Sequence, residues 1–145
     1  MKKPLWTLLL AFGLLSAFAR PPAGWLTDFD RALEIAKKEN KHVYVLFTGS
    51  DWCHWCIKLR KEVLEQPAFQ KFAHDHLVPV YCDFPQKTRL PQEQLARQRK
   101  WSRDLQAGQG VPSAVIVDPD GKVTGRIGGF AKADAYLKKL KNAIR

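Results

Sequence analysis

The chain has 145 residues, a formal net charge of +10 and three cysteines. That length suits one domain, and an apolar fraction of 46% can build a core, which excludes a disordered or low-complexity chain. The positive charge lies in scattered runs, Lys58 to Lys61, Arg97 to Lys100 and Lys138 to Lys141, of the kind that form solvated helix faces. No nucleic-acid-binding motif accompanies them, so nucleic acid is not an expected partner. Acidic partners or an anionic membrane surface stay open.

Residues 1–19 read as a leader. Lys2 and Lys3 make a basic start, Leu5 to Phe18 is an almost unbroken apolar stretch, and Ala17-Phe18-Ala19 has the small-x-small pattern of a secretory cleavage site. The stretch is short for a membrane span, and no cysteine follows at a lipidation position. The expectation is an exported, periplasmic protein whose domain occupies residues 20–145; an uncleaved N-terminal anchor is the alternative.

Thr27 or Asp28 is placed to cap a helix running to about Asn40, with Phe29, Leu33 and Ala36 on one face. Val43 to Phe47 is an apolar run of buried-strand type. A helix is predicted from Cys53 until Pro67 interrupts it, resuming over Ala68 to His76. Leu77 to Asp83 is the next strand, and Lys87 to Pro91 a polar loop. Pro91 suits the first turn of a helix reaching about Gln106, which Gly108-Gln-Gly110 breaks. Ala114 to Asp118 and Lys122 to Ile127 are strands joined by the turn signal Pro119-Asp-Gly121. After Gly128-Gly129 a final amphipathic helix ends near Ile144. Alternating helices and strands with a closing hairpin indicate an α/β fold with helices on both faces of a mixed sheet.

The chemistry concentrates at Cys53 and Cys56, between the first strand and its following helix. Two thiols three positions apart can close or open a small disulfide ring. Unpaired N–H groups at a helix start favour a thiolate at Cys53, the more exposed of the two, and Cys56 one turn on is the resolving thiol. A ring this small contributes little loop-closure entropy, so it is a poor staple and a good redox switch. No cofactor is expected beyond this redox-active disulfide. Buried structural cysteines and a soft-metal site are the alternatives. In the latter, Cys53, His54 and Cys56 are joined by His74 or His76, although no second C-x-x-C motif exists. Covalent haem is excluded because Ile57 follows Cys56. Cys82, in the apolar run Leu77 to Cys82, reads as a buried free thiol behaving as a small hydrophobe.

Trp52-Cys53-His54-Trp55-Cys56 at a strand-to-helix turn, followed by Gly110-Val111-Pro112-Ser113 before an apolar strand, resembles the thioredoxin family over roughly Asp28 to Ile144. Phe47 to Cys56, with Asp83-Phe-Pro85 and Asp118-Pro-Asp-Gly121, is most similar to its exported bacterial branch, the periplasmic oxidoreductases of the DsbH type. The resemblance implies a thioredoxin-like fold with a four- to five-stranded sheet, and thiol–disulfide oxidoreductase activity that reduces or exchanges disulfides in protein substrates. It implies that Cys53 attacks and Cys56 resolves. It also implies that Pro112 is a cis-proline lying against the disulfide, and that Val111 offers its backbone to an extended substrate. Trp52 and Trp55 supply an apolar rim, and His54 flanks the helix start.

Three departures stand out, of which the first two bear on direction. Leu46 stands where many family members carry a buried Asp, Trp55 rather than His precedes the second cysteine, and Leu90 to Gln106 makes a longer excursion. Trp55 gives the thiolate no charge, which favours a reducing or exchange role; an oxidase or isomerase, or a binding module using the Val111-Pro112 groove, are the competing readings. A reductase outside the cytosol must be resupplied with electrons, so a membrane-embedded thiol reductase is the expected partner.

Overall fold

The computed structural model describes residues 20–145; the leader read on residues 1–19 lies outside the described residues. Helix α1 (Phe29–Glu39) starts where Asp28 accepts the Arg31 N–H at 3.1 Å and stops where Asn40 turns left-handed at φ 52°. Strand β1 (His42–Thr48) follows and is buried from Val43 onward, as a run without polar alternation requires when both faces are covered.

Strand β1 pairs in parallel with β2 (Leu77–Asp83) and antiparallel with β3 (Ser113–Val117), and β3 pairs antiparallel with β4 (Val123–Gly128). The sheet order is therefore β2-β1-β3-β4. On the open edge of β2, Leu26 forms a single parallel bridge. Its N–H donates to the Pro79 carbonyl at 2.9 Å, and its carbonyl accepts from Tyr81 N–H at 2.7 Å. Pro79, which has no N–H to offer, turns that side of its backbone to the edge and leaves the ladder with β1 intact.

Two helical layers cover the sheet. On one face Tyr44, Leu46, Ala114 and Ile116 pack against Leu59, Val63, Phe69, Tyr136 and Leu140. On the other, Val43, Val45, Phe47 and Val115 pack against α1 and against Trp101 and Leu105. The first core holds one polar pair, the hydroxyls of Tyr44 and Tyr136 at 2.6 Å. Each phenol is satisfied by the other, and burial holds both well above the ordinary tyrosine range.

The helix predicted from Cys53 to Pro67 is divided. Helix α2 (His54–Leu59) runs into a π-helical turn, Arg60–Leu64, and α3 (Pro67–His76) begins afresh. Pro67 cannot donate within the helix, and it occupies the first turn of α3 where none is needed. Carbonyls released by the break are recovered by amides. Gln66 Nε2 donates to the Lys61 carbonyl at 2.7 Å and Gln70 Nε2 to that of Leu64 at 2.5 Å.

Helix α4 (Gln92–Asp104) stops short of Gln106, which takes a left-handed backbone at φ 50°. Strand β4 starts at Val123 because Lys122 still belongs to the turn, its N–H bonded to Asp118 Oδ1 at 2.9 Å. Helix α5 (Ala133–Ala143) closes the fold. Among the described residues no helix is long and apolar enough to cross a membrane.

Gly125 of β4 passes under α5 so closely that a Cβ there would lie 2.5 Å from Ala143 Cβ. Gly125→Ala should therefore cost about 1–3 kcal/mol through overpacking, read as a lower midpoint in denaturant; an unchanged midpoint would refute the close approach. Cys82 is fully buried in the core on the α1 side, and burial pushes its thiol up to about 12. A thiol reagent at neutral pH should label Cys82 only after unfolding, and Cys82→Ala should keep activity. Fast labelling in the native protein would contradict this.

Candidate active site

The turn after β1 is built around a glycine. A Cβ at Gly49 would meet the Trp52 ring at 2.5 Å, so the indole lies across this residue, and its Nε1–H donates to the Phe84 carbonyl at 2.8 Å. Asp51 fixes the same turn to the segment after β2. It accepts the N–H groups of Gln86, Lys87 and Thr88 at 2.9, 2.8 and 2.8 Å. Desolvation pushes the Asp51 carboxyl up, but these backbone donors together outweigh it and hold the group below its ordinary range.

This turn sets down Cys53 as the N-cap of α2, with extended backbone at φ −85° and ψ 109°. Its Sγ accepts the Cys56 N–H at 3.2 Å, and Cys56 Sγ accepts the Gly49 N–H at 3.4 Å. Each sulfur thus has a backbone donor of the kind that stabilises a thiolate. The two cysteines are joined as a disulfide, with Cα atoms 5.2 Å apart. Cys53 is 7% exposed and Cys56 3%, so Cys53 is the outer sulfur by a narrow margin.

Across from the disulfide, the Val111–Pro112 peptide bond is cis. The Val111 carbonyl oxygen lies 3.7 Å from Cys53 Sγ, and the Pro112 carbonyl accepts the Gly129 N–H at 2.9 Å. Trp52 and Trp55 are 42% and 52% exposed, a large apolar surface beside the sulfurs. Trp55 stacks on Phe130 with centroids 5.7 Å apart, and Lys58 Nζ sits 5.4 Å from one ring and 5.0 Å from the other. The exposed His54 ring packs edge-on against Trp55 at 5.1 Å.

The structure thus brings together Trp52, Cys53, His54, Trp55, Cys56, Val111 and Pro112, and adds two residues that the sequence reading missed. Lys58 stands three positions after Trp55, a spacing that shares a helix face and offered a signal. Phe130 follows a glycine pair in a loop and offered none. His74 and His76 lie at the C-terminus of α3, which leads into the start of β2, whereas the disulfide lies at the other end of the sheet. His74 contacts Asp75 at 3.1 Å. Among the described residues no group of three His, Cys, Asp or Glu side chains is arranged to hold a metal ion. Beneath Cys56 is a cavity of about 30 Å³, walled by Leu46, Thr48, Ser50, Arg60 and Tyr81 among others.

A thioredoxin-like domain model matches residues 29–144. Disulfide bond reductase DsbH of Chlamydia pneumoniae is 39% identical over 123 residues, covering 81% of this chain and 71% of DsbH. Thioredoxin-related protein DsbJ of the same organism is 31% identical over 137 residues, covering 88% of this chain but 38% of DsbJ. Among solved structures, a DsbH oxidoreductase aligns with a TM-score of 0.74 at 34% identity, covering 87% of this chain and 90% of that one. A thioredoxin from Thermus thermophilus shares the fold at a TM-score of 0.62 and 21% identity, over 81% and 83% of the two chains. The chain belongs to the thioredoxin-like family and is a DsbH-like thiol–disulfide oxidoreductase.

Proposed function

We propose that the protein reduces or exchanges disulfides in exported protein substrates, with Cys53 as the attacking thiol and Cys56 as the resolving thiol. The observation that carries this reading is the setting of Cys53 Sγ. It lies at the mouth of a helix, held by a backbone N–H and flanked by Val111 and by exposed aromatic rings.

In the reduced protein the Cys53 thiolate attacks one sulfur of the substrate disulfide. A bond forms to Cys53 Sγ, the substrate S–S bond breaks, and the departing sulfur takes the electron pair and then a proton. Cys56 loses its proton and attacks Cys53 Sγ, releasing the second substrate sulfur in the same way. Two electrons pass to the substrate, and the chain is left with the Cys53–Cys56 disulfide. An extended substrate segment aligned beside Val111 would bind through its main chain, so affinity would not depend on one sequence. Trp52, Trp55 and Phe130 would cover its apolar side chains.

Two features support reduction over dedicated oxidation. Trp55 contributes no charge to a thiolate, and a strong oxidant needs its reduced form heavily stabilised. The relative DsbH carries the name of a disulfide bond reductase. Residues 1–19 serve as the export signal in this reading, the site of action is the periplasm, and a membrane-embedded thiol reductase returns the electrons.

Dithiol-dependent reduction of a protein disulfide should be abolished by Cys53→Ser. Cys56→Ser should instead accumulate mixed disulfides, since capture proceeds and release does not; full turnover by Cys53→Ser would sink the assignment. Equilibration with glutathione buffers should give a midpoint nearer the thioredoxin value of about −270 mV than the DsbA value of about −120 mV. A midpoint at the upper value would reassign the protein as an oxidase.

A further inference from the structure

Resolution asks a buried cysteine to ionise on demand and otherwise to stay out of the reaction. On the strand beneath it, Leu46 supplies no ionisable group. A buried carboxylate does stand at this end of the sheet, on the next strand. Asp83 ends β2 opposite Thr48 in the β1–β2 register and is 3% exposed. Ser50 donates to it twice, through its N–H to Oδ1 at 2.9 Å and through its hydroxyl to Oδ2 at 2.5 Å.

The residues linking this carboxylate to Cys56 are consecutive. Thr48 accepts the Phe84 N–H at 2.8 Å, Gly49 donates to Cys56 Sγ at 3.4 Å, and Ser50 donates to Asp83. Ser50 and Cys56 also wall the same cavity. We propose that the charge of Asp83, which the Thr48–Ser50 turn ties to the Cys56 end of the sheet, makes it the positioning residue that holds Cys56 in its thiol form. The proposal rests on the reading of Cys56 as the resolving thiol.

The sign follows from the surroundings. An ionised carboxylate in a poorly solvated site opposes a second negative charge nearby, so it favours the Cys56 thiol over the thiolate. The groups facing Asp83 and Cys56 include anions and cations, and none of the described cations is paired with the carboxylate. Asp51 of the turn is itself an anion, and Tyr81 of β2 is a buried phenol pushed up to about 12. Gln98 of α4 donates to the Asp83 backbone carbonyl at 2.6 Å, not to its carboxylate. Arg20, an exposed residue, lines a small cavity together with Tyr81 and Asp83, and Arg60 of the π-helical turn, which walls the cavity beneath Cys56, is 3.6 Å from Glu65. Among the described residues no cation forms an ion pair with Asp83. Burial also pushes the Asp83 carboxyl above its ordinary range, so its influence sets in as pH rises and fades in acid.

Asp83→Asn tests this cleanly, because the amide oxygen can keep the Ser50 N–H and the amide nitrogen can donate to the Ser50 hydroxyl, while the charge is lost. The direct readout is the pH titration of the Cys56 thiolate by ultraviolet absorbance, in a Cys53→Ser, Cys82→Ala background. Asp83→Asn should raise the thiolate fraction about three- to tenfold at a fixed pH below the midpoint. Release of a preformed mixed disulfide should quicken less, by about threefold for a tenfold gain in thiolate, because nucleophilicity falls with proton affinity.

Ser50→Ala removes one donor but leaves the charge, and should not lower the midpoint. If both variants lower it alike, or neither does, Asp83 is only a structural tie and the proposal is overturned. Should Asp83→Asn fail to fold, the same Cys56 titration with Asp83 intact decides instead: the midpoint should lie above the ordinary cysteine value of about 8.5, and a midpoint at or below it would refute the proposal. The thiolate titration is independent of turnover. A reversal of cysteine roles would show separately, as mixed disulfides accumulating in Cys53→Ser.

Discussion

The register of β1 against its two neighbours is the constraint on which the site depends. Thr48 stands opposite Asp83, and Phe47 stands opposite Ser113, the residue after the cis-proline. The active-site turn, the segment after β2 and the approach to β3 are therefore delivered to one end of the sheet. A slip of one residue in β1 would move every side chain to the other face. Leu46 would leave the core of Leu59 and Tyr136, and Phe47 would leave that of Trp101. Because both faces of β1 are buried, two separate cores resist that slip. The position of Cys53 relative to Val111 is thus set by apolar packing far larger than the turn itself.

At the end where these loops meet, polar and apolar anchors are divided between the two tryptophans. Trp52 is held by a hydrogen bond to Phe84 and by its seat on Gly49. Asp51 gathers three N–H groups of the next loop, so the turn is rigid although its surface is wet. Trp55 is held instead by Phe130 and by the Lys58 ammonium. An exposed aromatic costs hydration free energy that burial would recover, and in the proposed function a bound substrate recovers it at Trp52 and Trp55.

The order and type of elements were legible in the sequence because β1 and β2 are apolar runs bounded by turn residues, while α1 has helical periodicity and an Asp cap. The redox pair was legible for the same local reason. The π-helical turn was not, since hydrophobic spacing over Ile57 to Leu64 reads alike for one helix and for two joined out of phase. Phe130 reaches Trp55 only through the tertiary approach of the loop before α5 to α2, which no local pattern records. Asp83 was hidden differently. An acidic residue followed by Phe-Pro reads as the polar end of a strand, and only the β1–β2 register shows that Ser50 closes over it.

That burial has a thermodynamic consequence which bears on why the carboxyl is there. Its pKa in the folded protein is raised, so between the unfolded and folded values the native state binds the extra proton. Stability then falls as pH rises through that interval, and above it the ionised Asp83 is a net cost to the fold. The two Ser50 donors reduce that cost without removing it, since desolvation remains the largest influence on the group. An Asn at this position could accept the Ser50 N–H and donate to the Ser50 hydroxyl with no charge to desolvate. In the proposed reading that cost is offset by the control the carboxylate exerts on the ionisation of Cys56.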